Sequence, residues 1–139
     1  MTAQPANGQD APLLRLAGIN TYYGVIHILQ DVNIEVRPGE IVCLLGGNAS
    51  GKSTTLKTIL GIVKPASGSV EFRGQPVHDK ATSYRVERGM AVVPENRRIF
   101  STMTVLENLQ MGAYLRRDPA GIEEDLQRVE EYFRRTGIA

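Results

Sequence analysis

Hydrophobic and polar positions along the chain fall into segments of two different periods. "LLRLAGI", from Leu13 to Ile19, reads as a strand, and "TYYG" after it reads as a turn. In "VNIEVRPGE", Val32, Ile34 and Val36 alternate with Asn33, Glu35 and Arg37. That alternation predicts a half-buried strand with one wet face, closed by a turn at Pro38-Gly39. "IVCLL", five apolar residues in a row, predicts a strand covered on both faces, as in a parallel sheet between helices.

Helical spacing follows. Leu56, Ile59, Leu60 and Val63 recur at helical intervals from Lys52 onward, and Gly61 and Pro65 mark the end of that helix. "SGSVEFRG" predicts a short strand entered by a turn, Thr82 to Arg88 a short helix, and "MAVVP" a second buried strand. Thr104 and Glu107 form a capping-box pair, so a helix is expected from near Val105. Ile122, Leu126, Val129 and Phe133 share one face of a last helix starting near Gly121.

Composition narrows the classes. A length of 139 residues fits one domain with a core of its own. The net charge of +1 gives no electrostatic basis for binding nucleic acid or an anionic membrane surface. The basic pairs Arg97-Arg98, Arg116-Arg117 and Arg134-Arg135 suit solvated faces. Cys43 is the only cysteine, and within "IVCLL" it reads as a small buried hydrophobe. No apolar run reaches membrane-spanning length, and "MTAQPANGQDAP" has the make-up of a disordered lead-in rather than a secretory signal.

The chemistry concentrates in "GGNASGKSTT", Gly46 to Thr55, which contains the pattern G-x-x-x-x-G-K-[ST]. A polyphosphate needs many donors aimed at one point with no side chain in the way. Glycine lets the backbone approach closely and take positive φ. Consecutive main-chain N–H groups then form an anion-binding concavity, and the helix N-terminus behind it adds free donors and the positive end of its dipole. Lys52 is placed to reach the β- and γ-phosphates and the Ser53 hydroxyl to ligate Mg²⁺. A glycine-rich turn without a ligand is the alternative.

The order of features around this loop resembles the ATP-binding subunits of ABC transporters. "TYYG" lies upstream, "DVNIEVRPGEIVCLLGGNASGKSTTLKTILG" runs through the loop, and "KPASGSVEFRG" and "VVPENRRIFSTMTVLENLQMGAY" follow. The resemblance covers about Leu13 to about Phe133. It implies an α/β P-loop NTPase core with an antiparallel β subdomain, incomplete at the C-terminus, with residues 1–12 as a lead and 13–139 as the ATP-binding domain up to the start of its helical subdomain. It also implies ATP and Mg²⁺ as ligands. Tyr23 would stack on adenine; Gly46, Asn48, Gly51, Lys52, Ser53 and Thr54 would hold the phosphates, with Ser53 on the metal. Glu95 falls where most of the family carries the Q-loop glutamine, which touches Mg²⁺ or the attacking water. Turn packing for Tyr23, with Tyr22 the better packer, and a plain loop carboxylate for Glu95 are the alternatives. The run around Glu95 is similar to branched-chain amino acid importers.

Two positions depart from the family pattern: Ala49 and Asn96 stand where glycine is usual. If Ala49 takes positive φ, the cost is about 1 kcal/mol. The 139 residues hold no "LSGGQ" signature and no apolar strand ending in Asp-Glu, and His27 and His78 lie too early to be the switch histidine. Catalysis by these residues alone is therefore not expected. As part of a whole transporter, the chain is expected to partner membrane subunits and a second ATP-binding subunit at the inner face of the cell membrane, in the cytoplasm. A short nucleotide-binding protein and a remnant without hydrolysis are the competing readings.

Overall fold

The computed structural model describes residues 11–95 and 98–137. The expected disordered lead lies outside these except for Ala11 and Pro12, and Asn96 lies outside them as well. The chain divides into two compact units, Met1–Ala91 and Val92–Ala139.

The first unit is built on an antiparallel sheet. Strand β1 spans Leu14–Tyr23, β2 Ile26–Val36, β3 Ser67–Phe72 and β4 Gln75–Pro76, in the order β2-β1-β3-β4. The early strands are antiparallel, as the family resemblance implies, and Val32, Ile34 and Val36 face inward, as the alternation predicts. Thr21 to Tyr23 belong to β1, so the turn is confined to Gly24 and Val25. Leu16 pairs with Ile34 on one side and Val70 on the other. Leu16 and Ile19 are both buried although three residues apart, a spacing that would put them on opposite faces of a regular strand. A register shift between them resolves the conflict by inserting a bulge. At the β3–β4 turn Arg73 and Gly74 both have positive φ, 51° and 71°, as a type I′ hairpin requires.

Helix α1, Lys52–Leu60, ends at Gly61 as expected. Its buried face differs from the predicted one. Thr54, Thr55, Thr58 and Leu60 are buried, while Leu56 is exposed. The threonines are admitted because two of their hydroxyls find partners in the helix itself: Thr55 Oγ1 donates to Gly51 O and Thr58 Oγ1 to Thr54 O. The core comprises Leu16, Ile19, Leu29, Leu60, Val70, Phe72, Val77 and Met90.

Helix α2, Thr82–Glu87, places Arg85 at the centre of this unit, fully buried. Its guanidinium donates to five carbonyl oxygens, those of Thr58, Ile59, Val77, His78 and Lys80. Thr58 and Ile59 lie in the last turn of α1, where carbonyls lack helical partners and the dipole is negative. Burial pushes the guanidinium below its usual pKa.

Two expectations fail here. Neither "IVCLL" nor "MAVVP" forms a strand. Ile41 and Leu45 are 91% and 90% exposed, Val93 is 96% exposed, and Cys43 is exposed rather than buried. A parallel strand acquires its ladder and its cover from neighbours. Among the described residues no strand pairs with either segment.

The second unit holds α3, Val105–Gly112, and α4, Pro119–Thr136. The Thr104–Glu107 capping box forms as predicted. Helix α4 starts two residues before Gly121, with Pro119 in its first turn, where a missing N–H costs nothing. Ile122, Leu126, Val129 and Phe133 make its half-buried face. Arg116 bridges Asp118 and Asp125, which holds both carboxyls below the usual range.

Gly61 tests the Arg85 arrangement. It has φ +76°, and a Cβ there would lie 2.8 Å from the guanidinium carbon. Gly61→Ala combines left-handed strain of about 1 kcal/mol with overpacking of about 1–3 kcal/mol. Urea unfolding should show a loss of about 2–4 kcal/mol; a loss below the backbone term alone would mean that the guanidinium is not packed there.

Candidate functional site

The loop from Gly46 to Gly51 leads directly into α1. Gly46 takes φ 155° and Gly51 φ 87°. A Cβ on Gly46 would meet Ser50 Oγ at 2.5 Å, and one on Gly51 would meet Leu29 Cδ2 at 2.8 Å. Glycine is thus favoured at both ends of the loop by its φ, and a side chain there would also displace Ser50 or Leu29. Around Gly47 nothing lies within 4 Å of an added Cβ, which leaves the loop open on that side.

Ala49 has φ 62°, the left-handed conformation that makes alanine costly. The condition attached to this departure from the family pattern is met. The neighbouring Asn48 is exposed.

Lys52 folds back over its own loop. Its Nζ donates to Gly46 O at 2.7 Å, Gly47 O at 2.6 Å and Ser50 Oγ at 3.3 Å. An ammonium has three donors, and these contacts use all of them. The lysine charge is therefore centred on the loop. Behind it, α1 has no side-chain cap at Gly51, so its first-turn N–H groups are left for water or a ligand. Ser53 is exposed, whereas Thr54 is buried.

These features fit a polyphosphate: an open concavity, uncapped helix donors and a centred cation. They also fit Mg²⁺ held by Ser53 together with phosphate oxygens. No group of three or more His, Cys, Asp or Glu side chains able to hold a metal exists among the described residues. A cation here would depend on the phosphates for most of its ligands.

The loop packs against β2 close to the β1–β2 turn. Gly51 lies over Ile28 and Leu29, only a few residues beyond the start of β2 at Ile26. Tyr22 and Tyr23 stand at the other arm of that turn, both half-exposed. Tyr22 stacks on His27, which gives it the packing role expected of it. Among the described residues Tyr23 has no aromatic partner. Glu95 belongs to the second unit and is an exposed turn residue.

Sequence reasoning missed Arg85, Asn20 and His27 as organising residues. Arg85 bonds only main-chain carbonyls, and Asn20 and His27 find their partners across a register-shifted hairpin, so neither leaves a mark in residue type or spacing.

This loop, on an uncapped helix beside an antiparallel sheet, defines a class of nucleotide-binding protein. The ABC transporter family model matches residues 29–139, and the chain belongs to that family. It is 42% identical over 123 residues to the high-affinity branched-chain amino acid transport ATP-binding protein BraG of Pseudomonas aeruginosa, covering 88% of this chain and 52% of that one. It is 32% identical over 136 residues to the ribose import ATP-binding protein RbsA 2 of Streptomyces avermitilis, covering 96% of this chain and 27% of that one. A solved ATP-binding subunit of an ABC transporter superposes with a TM-score of 0.79 at 32% identity, covering 88% of this chain and 50% of that one. The chain thus spans about half the length, or less, of these relatives. No helix among the described residues is long and apolar enough to cross a membrane.

Ala49→Gly relieves the left-handed strain in the loop. Calorimetric titration with Mg·ATP should show affinity unchanged or tighter. A clear loss would mean that the loop's donors are aligned only with alanine in place.

Proposed function

We propose that the chain is the nucleotide-binding portion of an ABC importer ATP-binding subunit. The observation that carries this is the Lys52 ammonium, held by Gly46 O and Gly47 O in front of the uncapped N-terminus of α1. On binding, phosphate oxygens would replace those carbonyls around the ammonium. Charge-assisted contacts to phosphate are about twice as strong as neutral hydrogen bonds, which favours the exchange.

Each site residue then has a role. Gly46, Asn48, Gly51 and Thr54 would contribute backbone to the cradle, Lys52 would reach the β- and γ-phosphates, and Ser53 would hold the metal. Bound Mg²⁺ would neutralise charge on the β- and γ-oxygens. Tyr23 offers its half-exposed ring to the adenine. Glu95 takes the Q-loop position.

Branched-chain or hydrophobic amino acids are the transported class we favour, on the relative of higher identity, while the ribose import relative points to sugars. The amino acid transport relative is 42% identical and the ribose relative 32%. The Pro94-Glu95 run supports the same choice. Membrane subunits and a second ATP-binding subunit complete the transporter, with this chain peripheral at the cytoplasmic face. Deleting its coding segment should lower uptake of labelled leucine and leave ribose uptake unchanged; the reverse would assign it to a sugar importer.

Lys52→Ala should remove most Mg·ATP binding in calorimetry. Tyr23→Ala should weaken ATP and leave inorganic triphosphate unaffected, whereas equal loss for both would make Tyr23 a folding residue. The 139 residues alone should not release phosphate over multiple turnovers. They supply Lys52, Ser53 and Glu95 but no Asp-Glu pair to hold the metal and polarise water. Multiple turnovers abolished by Lys52→Ala would overturn that expectation.

A further inference from the structure

The tip of the β1–β2 hairpin carries a side-chain network that the phosphate loop does not account for. The register of β1 against β2 shifts between Ile19 and Thr21, and again between Thr21 and Tyr22. Such irregularities remove ladder bonds and re-aim the side chains that follow. Asn20 supplies partners in their place. Its Nδ2 donates to Gly18 O at 3.0 Å and Ser67 Oγ at 3.1 Å, and its Oδ1 accepts from the Asp31 N–H at 3.2 Å. Because Gly18 O can only accept and the Asp31 amide can only donate, the orientation of the Asn20 amide is determined.

That orientation determines the His27 ring as well. His27 Nε2 lies 2.9 Å from Asn20 Oδ1. This oxygen accepts, so Nε2 carries the proton, and the neutral ring is the Nε2–H tautomer. The same ring stacks on Tyr22, its cross-strand partner, with centroids 4.2 Å apart and planes 10° apart. Burial does little to hold this tip. Tyr22, Tyr23, Val25 and Ile26 are all exposed. Beyond the backbone pairing of Tyr22 with His27 and Tyr23 with Ile26, the stack and the Asn20 bond are directional side-chain contacts that order it.

We propose that His27 is a positioning residue for the base end of the nucleotide site. By donating to Asn20 and stacking on Tyr22, it fixes the hairpin tip from which Tyr23 meets adenine. This rests on the nucleotide reading above. A ring that is already ordered loses less freedom on binding, so the base end gains affinity while the phosphate end does not.

The test is calorimetry of the full chain with Mg·ATP and with Mg·triphosphate. His27→Ala should weaken ATP about fivefold to tenfold, the range of a lost aromatic contact, and leave triphosphate unchanged. His27→Phe keeps the stack and His27→Gln keeps a donor, so each should recover part of the loss. The ¹⁵N shifts of the neutral His27 ring should report the proton on Nε2. Equal weakening of both ligands, full ATP affinity in His27→Ala, or a proton on Nδ1 would overturn the proposal. If Tyr23→Ala leaves ATP binding intact, the stacking reading itself fails and the proposal falls with it; loss in Tyr23→Ala but not in His27→Ala rejects His27 alone.

Discussion

A buried guanidinium organises the phosphate-loop unit. Arg85 sends its donors to carbonyls at the end of α1 and along the segment after β4. The helix whose first turn carries the loop is thereby fixed at its last turn. A fixed fork of five donors suits this task, and a lysine point charge could not reach as many acceptors. No carboxylate is among the groups it bonds, and the negative end of the helix dipole compensates in its place. Gly61 has no side chain to intrude on the guanidinium, so the helix stop and the cation site depend on each other.

The opposite end of α1 is arranged by different means. Gly51 rests on Leu29, where an added Cβ would push against the leucine side chain, so helix and hairpin approach closely there. The hairpin in turn carries Tyr22 and Tyr23, so one close approach would relate the proposed base end of the site to its phosphate end. Within the loop, Ala49 is strained and Lys52 is occupied by its own carbonyls. Both are local states that a ligand with several phosphate oxygens could relieve or replace. In the proposed nucleotide complex, binding would be an exchange of partners, with the lysine giving up three contacts to gain others.

Legibility in the sequence followed the range of the interactions. The Thr104–Glu107 cap, the Gly61 stop and the alternation from Val32 to Val36 depend on residues a few positions apart, and each was readable. The phosphate loop was readable for the same reason, since one short run supplies its glycines, lysine and serine. "IVCLL" and "MAVVP" misled because five apolar residues state a demand for neighbours without supplying them. Here Ile41, Leu45 and Val93 stay exposed and Cys43 with them, while Met90 alone reaches the core. The threonine face of α1 was hidden by residue type, as its hydroxyls are satisfied by carbonyls one turn back. Asn20, His27 and Arg85 act through partners up to 47 positions away, which no local pattern encodes.

The claim on which the whole account turns is that α1 offers its uncapped first turn, with Lys52, to phosphate. Amide hydrogen exchange with and without Mg·ATP reads those N–H groups directly. The account predicts slower exchange from Gly47 through Ser53 when nucleotide is added, with the amides of β3 unchanged. Unaltered exchange across Gly47 to Ser53 at saturating nucleotide would contradict it.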